Sequence, residues 1–136
     1  MALPRIKVAL EKAIKALDPS FSTAYENVEF TPQANTPYQD IQIVPRAPDN
    51  QTVGSSYYRE VGELQVFLNY PSNTGTSACM LKAVQLRDYF KRGNTYSNAG
   101  IDVNIMKTPS ISSGSVIGDR YVVVVVINYS AGVFKA

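Results

Sequence analysis

The sequence predicts a single small α+β domain: a mixed or antiparallel sheet of about five strands with two helices packed on one face. Three observations predict it. Apolar residues recur at helical spacing near the start and again at 76–92. Other stretches alternate apolar and polar residues, the pattern of a half-buried strand. The run RYVVVVVINY at 120–129 does neither, so both faces of that strand call for cover.

In the first helix, about Leu3 to Leu17, Ile6, Leu10, Ala13, Ile14 and Leu17 form the apolar stripe. Lys7, Glu11 and Lys15 form an i,i+4 ladder on the opposite side. Pro4 is tolerated in a first turn, and Asp18-Pro19 stops the helix. AYENVEF, 24–30, reads as a strand with Val28 and Phe30 on one side. TPQANTP, 31–37, is a turn-rich connector, and YQDIQIV, 38–44, alternates through Ile41 and Ile43. The connector PRAPDNQTVGSS, 45–56, is long for a small domain, which points to a binding or mobile element.

YYREVGELQVFLNY, 57–70, is a long strand. Leu64, Val66, Leu68 and Tyr70 share one face and Glu63, Gln65, Phe67 and Asn69 the other, with Gly62 marking a bulge. PSNTG, 71–75, turns the chain into a second helix, 76–92. Cys79, Ala83, Leu86 and Phe90 form its core stripe, widened by Met80 and Val84. Thr76 or Ser77 caps its start; Lys91, Arg92 and Gly93 suit its end. IDVNIM, 101–106, alternates as a strand, KTPSISSGSVIG, 107–118, reads as a polar loop, and DRYVVVVVINYS, 119–130, is the last strand. The order is α-β-β-β-α-β-β in one domain, 1–136. Two helices cover one sheet face and nothing remains for the other. Either a neighbouring subunit covers it, or the sheet curls strongly enough to cover itself.

Composition narrows the chemistry. The 136 residues carry no histidine, one cysteine and a net charge of +2. The commonest general base and metal ligand at neutral pH is therefore missing. Cys79 lies on an apolar stripe, where a core thiol is expected rather than a nucleophile. Glu60 and Glu63 are an odd number apart, so a regular strand puts them on opposite faces, as it does Glu26 and Glu29. No glycine-rich phosphate loop with a lysine is present. The reading is a non-enzyme without cofactor or metal. The longest apolar run, Tyr121 to Ile127, is far short of the ~20 residues of a spanning helix, so no membrane is expected. Tyrosines beside Arg59 and Arg120 could stack on bases, but the low net charge favours a protein interface.

Four segments carry a resemblance: AYENVEFTP (24–32), IVPRAPDN (43–50), YYREVGELQVFLNYP (57–71) and TPSISSGSVIGDRYVVVVVINYSA (108–131). With the two helices they span nearly the whole chain, and in order and wording they resemble the tail terminator proteins of long-tailed bacteriophages. The turn PSNTGTSA is less glycine-rich than that family's pattern. The resemblance implies a virion protein, made in the bacterial cytoplasm, that assembles as a hexameric ring on the head-proximal end of the tail tube. The ring stops tube polymerisation and docks head-completion or stopper proteins, and genomic DNA passes through its lumen without sequence-specific contact. Its partners would be copies of itself, the tube protein and the stopper.

The residue roles are inferred from the sequence rather than carried over. Pro45, Arg46, Asp49 and Asn50 in the long connector, Tyr57, Tyr58 and Arg59 at its base, and Arg120, Val122, Val124 and Val126 on the last strand are the expected interface residues. The other readings are another head–tail connector or head-completion protein, and a small DNA-binding accessory protein. A hydrolase ranks last because no constellation supports one.

Overall fold

The computed structural model describes residues 2–50 and 57–134. Helix α1 spans Ala2–Leu17. Strands β1 (Thr23–Ala24), β2 (Tyr38–Pro45) and β3 (Tyr57–Pro71) follow, then helix α2 (Ser77–Tyr89). Strands β4 (Thr95–Asn98), β5 (Ile101–Ile105), β6 (Ser110–Ile111), β7 (Ser115–Ile117) and β8 (Arg120–Phe134) complete the described chain. They form one sheet, ordered β1-β2-β3-β8-β5-β4, with β6 and β7 also paired to β8. Among the described residues only β1–β2 is parallel. The α+β class and the two helices agree with the sequence reading, but the strands are more numerous.

β8 organises the sheet. One edge pairs with β3 in unbroken register, from Tyr57 opposite Phe134 to Pro71 opposite Arg120. The other edge pairs in turn with β7, β6 and β5. Both rows of its backbone hydrogen-bonding groups therefore face other strands, which suits a strand too apolar to be left at an edge.

Both helices lie on one face. Ile6, Leu10 and Ile14 of α1 and Cys79, Ala83 and Leu86 of α2 join Leu64, Val66 and Leu68 of β3 in one core. Val123, Val125 and Ile127 of β8 belong to the same core and are 0% exposed. Burial of each such side chain is worth about 1.5–3 kcal/mol. Buried Lys82 ties the helices together: its ammonium lies 3.1 Å from Asp18, just past the end of α1, and 4.3 Å from the Phe21 ring centroid. Hydrogen bonds from Ser20 and then from Lys82 hold the Asp18 carboxyl below its ordinary pKa.

Several sequence expectations are corrected. Residues 24–30 do not form a strand. Only Thr23 and Ala24 are extended, and the chain then turns, with Asn27 at φ 54° and Val28 61% exposed. Asparagine tolerates that left-handed conformation, and it ends the extended run. Gly62 marks no bulge, because the β3 register passes through it against Tyr129. Its role is close approach: a Cβ there would lie 2.5 Å from the Val44 carbonyl oxygen and 2.7 Å from the Tyr129 hydroxyl.

Met80 and Val84 do not widen the core, since both are 41% exposed, and neighbouring Leu81 is 71% exposed. α2 ends at Tyr89, before Lys91 and Arg92, and Thr76 at its N-cap makes no side-chain capping bond. Gly93, at φ 93°, donates its N–H to Ile105 O at 2.9 Å and turns the chain into the sheet. The supposed loop 107–118 contains β6 and β7, because β8's second edge needs partners.

Candidate assembly surface

The sheet's second face carries no helix. On β8 it presents Val122, Val124 and Val126, each half-buried. On β3 the same face carries Asn69, Phe67 and Gln65, directly opposite those three valines. The sheet thus shields its second face in part, by lateral contact between neighbouring side chains. An apolar centre around Phe67 and Val124 is framed by polar groups. Gln65 Nε2 donates to Glu63 Oε1 at 2.9 Å, and Asn69 Nδ2 donates to the Phe67 carbonyl at 3.0 Å. Ser112 exchanges two bonds with Val124: its N–H donates to Val124 O, and Val124 N–H donates to its hydroxyl, both at 2.9 Å.

Residues 45–50 of the long connector run beside β3. The Arg46 N–H donates to Val61 O at 2.9 Å. Asp49 and Arg59 exchange two backbone bonds of 2.8 Å, and the Arg59 guanidinium lies 2.8 Å from the Asp49 carboxylate. The Arg46 guanidinium reaches Glu63 at 2.9 Å. Hydrogen bonds from Arg46 and Gln65 hold the Glu63 carboxyl below its ordinary pKa. The remaining connector residues, 51–56, lie outside the described residues.

The structure brings most of the sequence-predicted residues to this end of the sheet. Pro45, Arg46 and Asn50 are exposed, while Asp49, Tyr57, Tyr58 and Arg59 are half-buried around them. Tyr57 lies over Gly132, where an added Cβ would stand 3.2 Å from its ring. Arg120 is placed elsewhere and is only 8% exposed. Its guanidinium donates to Thr36 O at 2.5 Å and Gln33 O at 2.7 Å, and it stacks 5.1 Å from the Tyr38 ring. It pins the connector 31–37 to the sheet.

The sequence reading weighed Glu60 only as half of a carboxylate pair with Glu63. It lies on the helix-covered face, is only 7% exposed, and lines a cleft of about 480 Å³ with Leu3, Pro45, Pro48, Asn50 and Tyr58. The signal was present: extending the parity of Leu64, Val66 and Leu68 backward by two residues at a time reaches Glu60. Nearby Tyr129 has its phenol pushed up to about 12, by burial first and by Glu60 second.

No group of acidic or cysteine residues fit to hold a metal occurs among the described residues. Cys79 is 1% exposed, and burial pushes its thiol up to about 11, away from the reactive thiolate. No described helix is long and apolar enough to cross a membrane.

A family model described as "Phage tail terminator protein" matches residues 5–129. The chain belongs to the phage tail terminator family. That family is structural rather than enzymatic, and membership makes this protein a phage tail component. One solved structure shares the fold at a TM-score of 0.79 and 22% identity, covering 100% of this chain and 99% of its own. Its name states no activity, and at that identity it speaks for the fold alone. No curated protein matches the chain. The helix-free face and the connector end of the sheet are therefore surfaces of a tail terminator.

Proposed function

We propose that this terminator assembles as a closed hexameric ring on the head-proximal end of the phage tail tube. There it stops tube polymerisation and offers its outer surface to a head-completion or stopper protein. DNA passes through the lumen without sequence-specific contact. The single observation that carries this reading is the family match over residues 5–129. The half-buried valine face supports the assembly part, since an apolar face under no second layer gains by meeting another subunit. A ring closes only through heterologous contacts, in which one surface of a subunit meets a different surface of the next.

The test is to add the purified protein to polymerising tail tube protein and measure tube lengths by electron microscopy. Shorter tubes with one ring at one end are expected. Tubes of unchanged length without end density, or preferential binding to duplex DNA that weakens steeply with salt, would overturn the reading.

A further inference from the structure

Strand β2 runs for eight residues, Tyr38–Pro45, but the strand outside it is short. Among the described residues, β1 lies opposite Gln39 and Asp40 only. A strand whose pairing stops partway leaves backbone groups that another chain can extend. The β2 sequence is well suited to such pairing: YQDIQIV alternates and is rich in β-branched and aromatic residues.

The backbone geometry identifies the groups at risk. Along an antiparallel pair, successive residues point their N–H groups alternately toward the partner strand and away from it. The Arg46 N–H donates inward to Val61 O, and the Gln39 N–H donates outward to Ser22 O. Odd-numbered residues of β2 therefore aim their N–H groups away from β3. Positions 43 and 45 lie clear of β1. Pro45 has no N–H to offer. Ile43 has one, and it is occupied, donating to Glu26 Oε1 at 2.6 Å. A charged acceptor makes such a bond short and strong. A carboxylate also brings no donor of its own, so it ends the ladder instead of continuing it.

The turn after β1 delivers this side chain. The Val28 N–H closes it onto Tyr25 O at 3.3 Å, with Asn27 at φ 54°. Tyr25 packs against the core and fixes the turn beside the edge. Had residues 24–30 continued as a strand, they would have lengthened the sheet and offered a new open edge. The turn does the reverse.

We infer that Glu26 locks the outer edge of β2 against strand addition by a second copy of this chain. The inference concerns the edge that self-assembly must avoid, and it holds for a free subunit as for one in a ring.

The experiment compares wild type with Glu26→Ala, Glu26→Gln, Glu26→Ala combined with Ile43→Pro, and Val103→Ala. The last removes part of a fully buried side chain on β5, across the sheet, and serves as the destabilised control. Association is followed by sedimentation velocity over a concentration series and by the intermolecular β band in the infrared, below the onset of thermal unfolding. Glu26→Ala should form species larger than any of wild type, at about tenfold lower concentration, and show the band. Glu26→Gln keeps an acceptor for the Ile43 N–H and should match wild type. Ile43→Pro removes the outward donor without costing a bond to β3, as an edge strand allows, and should return the alanine variant to wild-type behaviour. Val103→Ala should melt lower without showing the band. Glu26→Ala that associates as wild type does, Glu26→Gln that aggregates as readily as Glu26→Ala, a folded proline variant that still aggregates, or the same band in Val103→Ala would each overturn the lock.

Discussion

Neighbouring valines on β8 have opposite fates. Val123 and Val125 are 0% exposed beneath the helices, whereas Val122, Val124 and Val126, on the same strand with the same side chain, are half-buried. Strand propensity and hydrophobicity are matched, so the layer above each residue makes the difference. One face is finished by its own chain. The other is shielded only by its neighbours in the sheet, and that incomplete burial is what an assembling subunit can use.

The comparison can be broken from either side. Val125→Asp puts a charge beneath the helices and should abolish cooperative unfolding by circular dichroism, a loss of more than about 4 kcal/mol. Val124→Asp should leave a folded chain, destabilised by about 1–2 kcal/mol, that no longer assembles in sedimentation. Equal loss of fold in both variants would mean that the second face is as closed as the first.

Smaller effects sharpen it. Gly62→Ala should cost about 2–3 kcal/mol in urea unfolding, because its Cβ would meet the Val44 carbonyl, part of a backbone that cannot yield. Asp18→Asn leaves Lys82 buried without its counter-charge and should cost about 1–3 kcal/mol, less than a fully buried pair because Asp18 is partly solvated.

The smallest effect belongs to the second face. Glu63 has a lowered folded pKa, so its stabilisation is complete above the ordinary carboxylate pKa. It is lost as pH falls through the lowered value. Arg46→Ala should therefore flatten the fall in stability below about pH 4, measured by acid titration of the melting temperature. An unchanged slope would show that Arg46 does not hold the Glu63 proton equilibrium.

The regular elements were legible because their signals are periodic. The stripe Ile6, Leu10, Ile14 and the parity of Leu64, Val66, Leu68 each identify a core face without reference to the rest of the chain. What was illegible depends on distant partners. Ser110–Ile111 and Ser115–Ile117 are extended because β8 has an edge to fill, and nothing in KTPSISSGSVIG announces that. Met80 and Val84 stand one helical turn from each other beside the Cys79 stripe, yet both remain exposed. Arg120 looked like a surface anchor, because the sequence does not reveal that the 31–37 connector folds back over it with carbonyls to satisfy. The residues around the long connector were singled out by its loop length and its tyrosines. The cleft at its base was missed because Glu60 was judged only as half of a catalytic pair.

The position of β8 also bears on how the protein is made. It comes after every other strand, yet it occupies the middle of the sheet between β3 and β5. Until it has been synthesised, the inner edge of β3 has no partner over fifteen residues, and the helices have only part of a floor. A ribosome-bound chain therefore presents a long, unpaired apolar edge from the completion of β3 until β8 is added. Truncation within 120–134 should yield an aggregating chain rather than a smaller folded one, and the subunit becomes competent for assembly only when its valine strand has been inserted.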